Sequence, residues 1–202
     1  MKTLKRIACS FLAIAMVIGL TACSAKIFDH KKMVKFGEDH DYEMFDDTDD
    51  YLESFGEIII GDRPDEGAYM SATGKDAQEV YDVVFNRFAN YPDYDVTEAT
   101  SVIYFDDDAF IQFYVFTMEE AKDAEKLFKK ISKKMVGDDK EKGDEKGYSY
   151  YIMFRDDYSV DEYYGIYLKG NTVLFIQAQE DADELADEIC KAYGVISPTE
   201  AA

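Results

Sequence analysis

The sequence predicts an α+β fold: a mainly antiparallel sheet with about three helices packed on one face. Three observations carry this expectation. Apolar runs of strand length recur between glycine- and aspartate-rich turns from Gly67 onward. Between them lie segments whose apolar residues repeat at helical spacing. The resulting order, β-α-β-β-α-β followed by β-β-α, matches a ferredoxin-like arrangement over residues 67 to about 155, extended by a hairpin and a C-terminal helix.

Ala68 to Ala72 reads as the first strand, and Thr73-Gly74-Lys75-Asp76 opens the first helix. Ala77, Val80, Tyr81, Val84, Phe85 and Phe88 then form one continuous apolar stripe. Pro92 closes the connection. Ser101–Phe105 and Phe110–Phe116 are strands, joined by a hairpin turn at Asp106-Asp107-Asp108-Ala109. Thr117 is the expected cap of a second helix. That helix carries Glu119 and Glu120 in its first turn and Lys129, Lys130, Lys133 and Lys134 in its last, as the helix dipole favours.

Gly137 to Gly147 contains glycines, charges and nothing apolar, which predicts an exposed loop. Further strands are expected at Tyr148–Arg155, Tyr163–Lys169 and Thr172–Ala178, the last two joined by a Gly170-Asn171 turn. A final helix aligns Ala182, Leu185, Ala186, Ile189 and Tyr193, expected beside the other helices. Gly194 stops it, and residues 197–202, from Pro198 on, read as a frayed tail. Residues 67–196 thus make a single α+β domain.

Ahead of the domain, residues 23–66 lack a clean period and read as a tether or a docking segment. Within them Glu57-Ile58-Ile59-Ile60 is a strand candidate. The domain's own strands favour docking. Phe110, Tyr114 and Phe116 lie on one side of their strand, and Ile111, Phe113 and Val115 on the other. Val173 and Phe175 oppose Leu174 and Ile176 in the same way. Helices on one face cannot cover both sets, so residues 24–66 are expected to fold over part of the second face. The remainder of that face, with Tyr163 and Tyr167, would form an exposed aromatic patch. Tyr151, Tyr163 and Tyr167 are accordingly the candidate binding face for a partner protein or a glycan.

At the N-terminus, Lys2, Lys5 and Arg6 precede an apolar run of 14 residues, Ile7 to Leu20, too short to span a bilayer comfortably. Leu20-Thr21-Ala22-Cys23 follows. This stretch resembles the lipobox of bacterial lipoproteins. The resemblance covers residues 1–23 and concerns address, not activity. It implies a signal peptide over residues 1–22, cleavage after Ala22, and a diacylglyceryl lipid on Cys23. It further implies an exported chain held on the outer side of the plasma membrane, or of an envelope membrane in a Gram-negative cell. Two acyl chains suffice for stable anchoring.

Loss of the three leader cations takes the net charge from −21 to −24. That charge excludes nucleic acid, whose binding rests on cations that neutralise phosphate, and leaves the acyl chains as the membrane contact. A 47% hydrophobic and 15% aromatic composition excludes a disordered chain. Of the three cysteines, Cys9 leaves with the leader, Cys23 is the lipidation site, and Cys190 reads as a buried, inert thiol. His30 and His40, with Asp29, Glu38, Asp39 and Asp41 nearby, fit no familiar ligand spacing and read as a solvated segment. With no histidine in the expected core and 43 acids in the chain, no catalytic residue stands out. The acidic runs imply weak calcium binding at most, and no cofactor or metal site is expected. The functional expectation is a non-enzymatic surface lipoprotein that binds or scaffolds. The alternatives are a ligand receptor serving a transporter or sensor, and a carboxylate-based envelope hydrolase.

Overall fold

A computed structural model describes residues 27–59, 66–86, 94–106, 109–137, 139–145, 147–156 and 161–201. The leader with Cys23, together with Ile60, Phe88, Pro92 and the Asp107-Asp108 pair, lies outside them. The described chain runs α1 (His30–Asp39), β1 (Glu43–Phe45), α2 (Thr48–Ile59), β2 (Glu66–Thr73), α3 (Lys75–Asn86), β3 (Val96–Phe105), β4 (Phe110–Met118) and α4 (Ala121–Lys134). It continues through β5 (Asp139–Glu145), β6 (Tyr148–Arg155), β7 (Glu162–Lys169), β8 (Thr172–Gln179) and α5 (Asp183–Tyr193).

The fold is α+β, with one eight-stranded sheet in the order β1-β2-β3-β4-β8-β7-β6-β5. Only the short β1 pairs in parallel, with β2; every other ladder is antiparallel. The topology is two meanders zipped together along β4 and β8, not the ferredoxin-like interleaving expected. The difference originates at α3. It leads from β2 into β3, its antiparallel neighbour, with Glu66 opposite Phe105, so it is an excursion and not a crossover.

Helices cover both faces of the sheet. On the first, α2, α3 and α4 bury Tyr51, Phe55, Ile58, Val80, Tyr81, Leu127 and Ile131 against Tyr114, Phe116 and Val173. On the second, α1 and α5 bury Met33, Phe36, Ala186 and Ile189 against Ile111, Phe113, Val115, Leu174 and Ile176. Two-sided apolar strands require this, because each large side chain left in water forgoes roughly 1.5–3 kcal/mol of burial. The final helix therefore lies on the face opposite the other helices of the expected domain, and the described residues hold five α-helices where about three were expected.

The N-terminal segment is part of this architecture. Asp29 caps α1, its carboxylate accepting from the Lys31 N–H at 3.1 Å. The Phe28 N–H donates to Thr172 Oγ1 at 2.9 Å, and Tyr193 Oη donates to the Asp29 carbonyl at 3.1 Å. Helix and sheet meet closely at Gly37, where any Cβ would sit 2.5 Å from the Tyr69 ring. Residues 57–59, expected as a strand, close α2 instead. Tyr51, Phe55 and Ile58 are its buried stripe, at i, i+4 and i+7.

Three other expectations are corrected. Residues 139–145 form β5, paired antiparallel with β6 (Glu141 opposite Ile152), where a loop was expected. Thr117 does not cap α4; it lies in β4, with its hydroxyl 2.8 Å from His30 Nε2, and the helix begins after Glu120 without a side-chain cap. The C-terminus is packed. Gly194 ends α5 at φ 68°, Ser197 is buried, and Pro198–Ala201 adds a short 3₁₀ turn.

A candidate binding cleft on the three-helix face

The tyrosines expected to form a binding face are not brought together. Tyr163 and Tyr167 do share a face, but it is the one beneath α1 and α5. Tyr167 is 0% exposed, its hydroxyl donating to the Ile196 carbonyl at 2.7 Å and lying 3.8 Å from Cys190 Sγ. Tyr163 is 8% exposed with its ring 5.2 Å from that of Phe154. Tyr151 lies on the opposite face, half-buried against the first core. What covers these side chains was invisible locally. Cys190 is buried as expected, and burial pushes its thiol up to about 12.

The histidines do not belong to a solvated segment as expected. His30 is 4% exposed and bridges two strands, with Nδ1 2.9 Å from Thr100 Oγ1 and Nε2 2.8 Å from Thr117 Oγ1. His40 is 2.8 Å through Nδ1 from the Phe36 carbonyl and lies against the Phe36 ring. Among the described residues no cluster of three His, Cys, Asp or Glu is placed to hold a metal.

What the fold does build is a cleft on the three-helix face, where β4 and β7 begin and β6 and β8 end. Its volume is about 400 Å³. The C-terminal halves of α3 and α4 flank it with Val84, Phe85 and Ile131, and Met135 and Met153 complete the apolar wall. The floor is aromatic: Tyr114 stacks on Phe175 at 6.0 Å, and Tyr164 lies 6.5 Å from the same ring.

A polar network crosses this floor. Glu162 is 8% exposed, an expensive place for a carboxylate unless donors converge on it. They do. Arg155 Nη2 and Tyr164 Oη (2.8 Å) both reach its Oε2, and Gln177 Nε2 donates to its Oε1 at 3.0 Å. The Arg155 guanidinium also lies over the Tyr164 ring, 5.5 Å from its centre. Arg155 Nε is buried and has no hydrogen-bond partner. Leaving such a group unpaired costs about 1–3 kcal/mol. Gln112 Oε1 accepts from Tyr114 Oη at 2.8 Å, leaving the amide nitrogen to the cleft. Lys134, at the end of α4, also lines the opening.

None of these residues was singled out beforehand. Gln112, Arg155, Glu162 and Gln177 come from four strands, and only Arg155 and Glu162 are close in sequence, opposite each other on β6 and β7. A second hollow of about 710 Å³ lies beside the α1–β1 turn, lined by Asp41, Glu43, Glu66, Asp106 and Asp181, with Tyr42 stacked on Tyr104 at 5.4 Å. In a chain with 43 acids, an acid-lined hollow distinguishes nothing. The cleft departs from that background, combining apolar walls with unspent donors, the usual make-up of small-molecule sites. Compared with protein-family models, curated proteins and solved structures, the chain matches none of them.

Proposed function

We propose that this chain is a lipid-anchored binding protein of the bacterial envelope, which captures a small amphipathic molecule in the cleft between α3 and α4. The address rests on Leu20-Thr21-Ala22-Cys23 and the short apolar run before it. The single observation that carries the binding role is the cleft itself, where an apolar wall meets a buried arginine donor with no partner. That supports the ligand-receptor reading over a scaffold docking through an aromatic face, since Tyr163 and Tyr167 are buried. A hydrolase finds less support: Glu162, the buried carboxylate beside the cleft among the described residues, has both oxygens engaged by donors and is poorly placed to act as a base.

Two measurements test the proposal. A screen of small amphipathic fragments, followed by NMR of the Ile and Met methyl groups, should yield ligands that shift Ile131, Met135 and Met153 together. Ligands that shift other methyls and spare these three would refute the cleft. For the address, a fatty-acid analogue fed to cells should label the wild-type chain and not Cys23→Ser; an unlabelled wild type refutes the anchor.

A further inference from the structure

We infer that the cleft selects an anionic head, and that its ligand is a carboxylate carried on an apolar body. This rests on the cleft being the binding surface, and three observations carry it further. The first is charge. The chain holds 43 acids against 22 lysines and arginines, so an average patch of its surface repels anions. The described residues lining the cleft depart from this, with Arg155 and Lys134 present and no Asp or Glu among them. The carboxylate beside them, Glu162, is paired with Arg155.

The second is the balance of unspent hydrogen-bonding groups. Arg155 reaches Glu162 through Nη2 and lies over the Tyr164 ring, which leaves its buried Nε–H for something else. Gln112 presents its amide nitrogen after accepting from Tyr114. Gln177 has spent its own nitrogen on Glu162 and Tyr164. Gln177 keeps its carbonyl oxygen, so the floor offers the Arg155 Nε–H and the Gln112 amide nitrogen as donors beside that acceptor. A guanidinium N–H and an amide N–H match the two oxygens of a planar carboxylate. They match a tetrahedral, doubly charged phosphate less well.

The third is the body of the site. Phe85, Phe175, Ile131, Met135 and Met153 enclose the remaining space with aromatic rings, a branched chain and two thioethers. Methionines adapt to irregular apolar shapes without specifying one. The cavity volume of about 400 Å³ suits a ligand of aryl-alkyl or medium-chain size.

Binding of phenylbutyrate, phenylbutyramide, phenylbutylamine and phenylpropyl phosphate to the full lipidated chain in nanodiscs tests this. Calorimetry should rank the carboxylate about tenfold above the neutral amide, with the amine weakest. Arg155→Gln alone would strand Glu162, so the informative variant is Arg155→Gln with Glu162→Gln, which should abolish the preference and keep amide binding. Arg155→Lys, which keeps the charge without the Nε–H, should lose most of the preference. Equal binding of carboxylate, amide and amine, or tightest binding of the amine, overturns the selection while leaving the cleft as a ligand site. Tighter phosphate binding overturns the carboxylate assignment. A double variant that keeps the preference removes Arg155 from it. Binding of none, with Ile131, Met135 and Met153 unmoved, overturns the cleft and the inference together.

Discussion

His30 shows how one side chain can couple a helix to a sheet and to pH. It occupies the first turn of α1, and its ring links the hydroxyls of Thr100 on β3 and Thr117 on β4. Burial lowers its pKa from 6.5 to about 4, against the opposing pull of Asp29; Glu98 Oε2 faces the ring at 3.7 Å. The unfolded chain takes up a proton as pH falls through 6.5, whereas the folded chain resists until about 4. The unfolded state therefore binds more protons across that window. The contribution is full above pH 6.5 and falls as the solution is acidified, by about 3 kcal/mol in all. Glu98, whose carboxyl is raised by burial, works in the opposite sense, so the informative quantity is a difference between chains. Denaturant unfolding from pH 7.5 down to 4 should show the wild type losing about 3 kcal/mol more than His30→Asn. Parallel curves would mean that the histidine is not buried neutral. The sequence concealed this role because a polar residue holds an apolar position: His30, Met33, Phe36 and Gly37 are the buried stripe of α1, and two of the four are not counted as apolar.

At the scale of elements, what was legible depended on where each element sits in the sheet. β4 and β8 are central and buried on both faces, and their apolar runs, Phe113–Phe116 and Val173–Ile176, announced both strands and the need for two covers. β5 is an edge strand with the wording Asp-Lys-Glu-Lys-Gly-Asp-Glu, and its burial pattern is exposed almost throughout. Such a strand carries no hydrophobic signal, since its order comes from the backbone of β6. Gly143, read as a loop residue, lies beneath the Tyr150 ring, and Tyr150 Oη donates to Glu141 Oε1 at 2.5 Å. The charges have a physical use, because an edge with open backbone groups is a template for pairing with another chain. Replacing Lys140, Lys142 and Asp144 together with Val should change unfolding free energy by no more than about 1 kcal/mol, since none is buried. The same variant should associate through that edge, seen as a rise in mass by light scattering. A variant that stays monomeric at high concentration would mean that the charges do not guard the edge. The polar cleft network was illegible for a different reason: Arg155, Glu162 and Gln177 become neighbours only when β6, β7 and β8 pair, and Gln112 joins them only when the two meanders meet along β4 and β8.

At the scale of the whole molecule, the β4–β8 ladder relates the proposed anchor to the proposed site. At one end Thr117 lies opposite Thr172, and Thr172 Oγ1 accepts from the Phe28 N–H. At the other end Gln112 lies opposite Gln177, both lining the cleft. Five residues of strand separate the two pairs, about 17 Å. Cys23 precedes Phe28 by five residues, a stretch that spans at most about 18 Å. The proposed lipid on Cys23 would therefore hold the Thr172 end of the sheet close to the bilayer, and because α1 is bonded to that end and packed along the sheet, the body would not swing freely on a long tether. The cleft would then open at the end away from the membrane, where a ligand would arrive from the aqueous side and not from the lipid. The strongly negative chain reinforces this stand-off from an anionic surface. With the lipidated protein in nanodiscs carrying a headgroup spin label, the amides of Gly170, Asn171 and Thr172 should broaden strongly, and the Met153 methyl and Gln112 amide should stay sharp. Broadening that is stronger at Met153 than at Thr172 would turn the cleft toward the bilayer and make a membrane-derived ligand the better reading. Uniform weak broadening would mean that the segment before Phe28 leaves the domain free to tumble, and the orientation argued from the ladder would not hold.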